Sequence, residues 1–113
     1  MCSYKTLYYS TDAGYVVLCT VCHNLQIGYG NLLITFHEKD LRSFIGWLKQ
    51  IENTLPEIGD GYEDVKSIAV PTPCEGLKLL LSANELRQFN QMLDDTDTEL
   101  KTHGLMRLFE VNT

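Results

Sequence analysis

The hydrophobic period of this chain switches from two residues to about 3.6, and then does so again further along. Two such switches leave few folds open. Lys5 to Ser10 carries Leu7, Tyr8 and Tyr9, and Thr11-Asp12-Ala13-Gly14 is a turn signal. Tyr15 to Cys19 is a β-rich run, and Leu25, Ile27 and Tyr29 then alternate with Gln26 and Gly28, as on a half-buried strand. Gly30-Asn31 separates that run from an apolar one, Leu32 to Phe36. This predicts a hairpin, because glycine supplies the positive φ that a primed turn demands.

The first switch follows. Over Glu38 to Asn53, Leu41, Phe44, Ile45, Leu48 and Ile51 recur at three- and four-residue steps and predict an amphipathic helix, stopped before Pro56 and Gly59. Asn53 to Asp64 reads as a solvated acidic loop. Its Glu57, Asp60, Glu63 and Asp64 lack the alternating spacing of a calcium loop. Short strands are expected over Val65 to Val70 and Leu77 to Leu81, with Pro71 and Pro73 closing the first. Ser82-Ala83-Asn84-Glu85 is a capping box, so a second helix should start there, with Leu86, Phe89, Leu93 and Leu100 on its buried side and Gly104 at its end. The tail Leu105 to Val111 alternates weakly, as a last strand or a short helical turn would.

Shifted by 45 residues, the two strand–helix units align: Leu32 with Leu77, Leu41 with Leu86, Arg42 with Arg87, Phe44 with Phe89 and Leu48 with Leu93. A ββα duplication and the common look of amphipathic helices after strands both account for this. The expected fold is α+β: one domain over residues 1–113, an antiparallel sheet with two helices on one face. At 113 residues and 44% hydrophobic, the chain can close one core without staples.

Nine Lys and Arg against 15 Asp and Glu give a net charge of −6, with the basic residues scattered singly. That disfavours nucleic acid and anionic membranes as partners. Met1-Cys2-Ser3-Tyr4-Lys5 lacks the apolar core of a signal peptide, and no stretch is long enough to span a bilayer. The expectation is a cytoplasmic protein, whose four cysteines are thiols or metal ligands rather than disulfides.

Cys19-Thr20-Val21-Cys22-His23 carries the most chemistry. Cys-x-x-Cys-His is the c-type haem attachment pattern, but that chemistry goes with export. A redox Cys-x-x-Cys opens a helix, whereas strand alternation follows here. A tight turn with two cysteines is half of a tetrahedral zinc site. Cys19, Cys22, His23 and Cys2 form the preferred ligand set, with Cys74, His37 and His103 as further candidates. The plainest reading is packing, since cysteine is a small and often buried residue. His37 is expected to cap or lie on the surface, His103 to suit a helix C-terminus, and Trp47 to sit at the core edge or, if exposed, to mark a partner surface. Asp94, Asp95, Asp97 and Glu99 read as a solvated face. No nucleophile elbow, phosphate loop or dinucleotide fingerprint is present.

The stretch from Cys19 to Leu48 resembles a family of small bacterial proteins of unknown function. The resemblance lies in the Cys-x-x-Cys, the Gln26-Ile27-Gly28-Tyr29-Gly30-Asn31 segment, the apolar strand, and then Asp40-Leu41, Phe44 and Leu48. It implies no catalytic residue. It does imply a bacterial, cytoplasmic origin, and that the cysteine pair and the Gly-Asn turn form a unit.

No convergent acid, base and nucleophile can be assembled, so the leading expectation is a non-enzymatic interaction or accessory protein. Zinc is its candidate stabiliser, and a protein partner or a second copy its candidate partner. The alternatives are a thiol- or metal-dependent enzyme centred on Cys19, Cys22 and His23, and a small-molecule binder lined by Tyr4, Tyr8, Tyr9, Tyr15 and Tyr29.

Overall fold

A computed structural model describes residues 3–55, 62–73 and 75–111. The elements run β1 (Tyr4–Ser10), β2 (Gly14–Cys19), β3 (Asn24–Tyr29), β4 (Leu32–His37), α1 (Glu38–Thr54), β5 (Ile68–Pro71), β6 (Lys78–Leu81) and α2 (Ala83–Val111). The fold is α+β as expected, but the strands divide into two sheets. β1-β2-β3-β4 form an antiparallel meander, and β5-β6 a separate hairpin.

The meander buries one face. Val16 lies opposite Ile27, which lies opposite Ile34, and Leu18, Leu25 and Phe36 form the next row; all six are buried. On β1 the register slips between Thr6 and Tyr8, so Leu7 is an extra residue whose side chain still reaches the core. The predicted hairpin closes with Tyr29 opposite Leu32, and Gly30 sits at φ 58°. At the other end of β2, Gly14 has φ 144°, and a Cβ there would meet the Gly28 carbonyl oxygen, so only glycine fits.

Both helices lie on the buried face, α1 against β4 and α2 against β1, and they pack on each other. Leu41, Phe44, Ile45 and Leu48 of α1 are buried, as are Leu86, Phe89, Leu93 and Leu100 of α2. A chain of rings crosses the interface. Phe36 and Phe44 stand 4.6 Å apart, Phe44 and Phe89 6.2 Å, and Phe89 and Tyr29 4.7 Å. Pairs of this kind add about 0.5–1.5 kcal/mol each beyond the area they bury. The aligned helix positions Leu41, Phe44 and Leu48 and Leu86, Phe89 and Leu93 therefore meet in one core, whereas Leu77, Arg42 and Arg87 are exposed; both units end in the order strand, strand, helix. The Asp run is not simply a solvated face. Asp94 takes Lys49 at 2.8 Å, and Asp97 takes Arg42 at 3.8 Å, tying α2 to α1.

The capping box forms as the sequence requires. Ser82 Oγ accepts the Glu85 amide at 3.1 Å, and Glu85 Oε1 accepts the Ser82 amide at 3.0 Å. Of the acidic loop, Glu57 and Asp60 lie outside the described residues. Asp64 Oδ1 accepts from Asn84 Nδ2 at 3.0 Å, which draws the end of the loop over the start of α2.

Two boundaries differ from expectation by more than one residue. β5 begins at Ile68 rather than Val65, because Tyr62 to Val65 makes a turn closed by the Val65 amide on the Tyr62 carbonyl at 3.1 Å. α2 does not end at Gly104 but runs to Val111, so the tail is neither a strand nor a separate turn. A helical glycine costs only about 1 kcal/mol relative to alanine, and the residues after it are good helix formers. Gly104 has no positive φ with which to stop the helix.

Candidate functional site

The Cys19–His23 segment is the connection between β2 and β3, and no helix follows it. The His23 amide closes it on the Cys19 carbonyl at 2.9 Å, an i to i+4 turn. His23 takes a left-handed backbone, φ 63°, which histidine adopts more readily than most non-glycine residues. Cys19 is buried and Cys22 exposed, and the Cys22 amide points at Cys19 Sγ at 3.4 Å. The turn is anchored on both sides. The Thr20 amide and hydroxyl donate to the Ser3 carbonyl at 2.8 and 3.1 Å, and the His23 carbonyl accepts the Glu38 amide at 3.1 Å.

Within the candidate ligand set, Cys19 and Cys22 share this turn. His23 directs Nδ1 to Glu38, 3.4 Å from Oε2. Cys2 and Cys74 lie outside the described residues. Among the described residues, no three His, Cys, Asp or Glu side chains are grouped so as to hold a metal ion. His37 caps α1, its Nδ1 accepting the Lys39 amide at 3.4 Å. His103 lies within α2 rather than at its end, with Nδ1 2.9 Å from Lys5 Nζ.

The turn forms one wall of a groove of about 570 Å³, lined by His23, His37, Glu38, Lys39, Arg42 and Leu100. Sequence reasoning missed this assembly. Lys39 and Arg42 stand three apart, one step along a helix face, and that spacing was the available signal. Nothing local tells that the β2–β3 turn and Leu100 close the other sides.

The tyrosines do not share one hollow. Tyr29 points into the core, and its hydroxyl reaches Gln88 Oε1 at 3.2 Å and the Glu85 carbonyl at 3.3 Å. Tyr9 and Tyr15 pair across strands on the opposite, exposed face, where the Tyr15 ring lies over Gly28. Trp47 is 45% exposed and borders a smaller apolar groove with Phe36, Phe44, Pro71 and Pro73.

The profile of a family of unknown function, DUF6686, matches residues 1–112. The chain belongs to that family. The match extends over both strand–helix units, well beyond the stretch that carries the resemblance. No curated protein and no solved structure matches the chain. Membership brings no assigned chemistry, so function has to be argued from the surface and the groove.

Proposed function

We propose that this member of the family is a non-enzymatic interaction module that docks on protein, a second copy of itself being the first partner to test. Three apolar side chains of α2 carry the proposal: Leu105 and Met106 are each 57% exposed and Leu108 61%. The α2 helix of 29 residues is about 43 Å long at 1.5 Å per residue, in a molecule of 55 × 25 × 24 Å. Exposed apolar side chains grouped on one helix are the mark of a contact surface. The exposed Trp47 edge is a second apolar feature of the same kind.

A protein partner also suits the chain's net charge of −6, which disfavours nucleic acid. Among the described residues no helix is long and apolar enough to cross a membrane. A cytoplasmic setting goes with this reading, and no metal is needed for it. The test is light scattering on the wild type and on a Leu105→Ser/Met106→Ser/Leu108→Ser variant. A wild-type mass above 12.9 kDa, falling to the monomer in a variant with unchanged circular dichroism, supports the proposal. A monomeric wild type, with crosslinking in host lysate that recovers no protein lost by the variant, overturns it.

A further inference from the structure

The groove beside the cysteine turn has an excess of hydrogen-bond donors. Four of its lining side chains, His23, His37, Lys39 and Arg42, carry nitrogen donors, in a chain with a net charge of −6. Its one lining carboxylate, Glu38, already faces His23 at 3.4 Å. Asp97, behind Arg42, is held by Lys101 at 2.9 Å and approached by Arg42 Nε at 3.8 Å. That approach uses one edge of the guanidinium and leaves its terminal N–H fork, on an exposed side chain, for another acceptor.

His37 Nδ1 accepts the Lys39 amide, so the ring's other nitrogen, Nε2, is the one that carries a hydrogen to donate. The Lys39 ammonium has no carboxylate partner among the described residues, whereas Lys49 and Lys66 each close on one at 2.8 and 3.1 Å. Buried Leu100 lends the groove an apolar wall.

We propose that this groove binds a small oxyanion, a phosphate or carboxylate group, held between the Arg42 fork, the Lys39 ammonium and the His37 ring N–H. The volume of about 570 Å³ leaves room for the rest of a metabolite-sized ligand. The positive end of α1 lies at the same place, but Glu38 and Asp40 in its first turn offset it, so the attraction has to come from the Arg42, Lys39 and His37 side chains. The proposal does not depend on the interaction reading, because Leu105, Met106 and Leu108 are not among the groove's lining.

The test is a titration of the ¹⁵N-labelled full chain with inorganic phosphate and, separately, with succinate, at fixed ionic strength. The expected result is saturable shifts confined to the His23 turn and the first turn of α1. The stronger of the two anions identifies the group recognised. Arg42→Gln should weaken binding about tenfold, the size of one hydrogen bond to a charged group. Because Arg42 also faces Asp97, Lys39→Gln serves as the second variant and should weaken binding severalfold. Lys78→Gln, on the β5–β6 hairpin, should leave it unchanged. Shifts that rise linearly without saturating, or folded Arg42→Gln and Lys39→Gln variants that bind as the wild type does, overturn the proposal.

Discussion

Replacing Tyr29 by phenylalanine tests the join between the meander and α2. The phenol sits in the core against Phe89, and its hydroxyl donates to α2 at Glu85 and Gln88. Burial, with a smaller contribution from the Glu85 carboxylate, pushes its pKa up from 10.0 to about 12. A phenol raised in this way favours folding as long as it stays neutral in both states. The stabilisation is complete below the unfolded value near 10 and is lost as pH rises through the folded value near 12.

Integrating the linkage relation between those two values gives a loss of about 1.8 kcal/mol from about pH 9 to about pH 11.5. The assay is urea unfolding of wild type and Tyr29→Phe at both pH values. Every other tyrosine and lysine is common to the two proteins, so the difference between them isolates Tyr29. At pH 9 the variant should be less stable by about 1 kcal/mol, for one long O–H hydrogen bond shared between two neutral acceptors. At about pH 11.5 the wild type should have lost that advantage, and the sign should reverse by a few tenths of a kcal/mol or more. A gap that is the same at both pH values would refute the reasoning, since it would mean that the phenol ionises as freely folded as unfolded.

Gly104→Ala should stabilise the protein by about 0.5–1 kcal/mol in a thermal or urea melt, because the position is helical and an added Cβ meets nothing within 4 Å; destabilisation would mean that the helix stops there after all. At the start of the same helix, the Ser82 amide, and then Lys66 Nζ at 3.1 Å, hold the Glu85 carboxyl below its ordinary value against a partly opposing burial. That stability is present above the unfolded value near 4.3 and is lost as pH falls through the depressed folded value, so Glu85→Gln should flatten the acid limb of the stability curve; an unchanged limb would count against the capping role.

What the sequence made legible was local. The period of two, the Gly30-Asn31 turn and the Ser82–Glu85 box each encode their structure within a few residues, and the last of these is realised in both of its hydrogen bonds. The buried stripes of both helices were legible for the same reason: side chains three and four apart share a face whatever surrounds them. What could not be read depended on long-range pairing or on small energies. Nothing in β4 or β5 says that they will not pair, so one expected sheet became two. Gly104 carries only a weak local penalty, and the helix formers on its C-terminal side override it.

The cysteine turn shows why a motif with a chemical reputation needs its surroundings before it acquires a role. Its backbone is committed at the Cys19 carbonyl, the Thr20 amide and the His23 amide and carbonyl, and through these it holds the start of β1 and the start of α1. One sulfur is drawn into the turn by the Cys22 amide, and the His23 ring is turned to Glu38. A corner tied to both β1 and α1 in this way is served by a small buried residue at Cys19 and a left-handed residue at His23. The consequence lies next to the turn rather than in it. By fixing where α1 begins, the corner sets His37, Lys39 and Arg42, spread over six positions of an acidic chain, along the lining of one groove, and that placement is what the proposed anion site rests on.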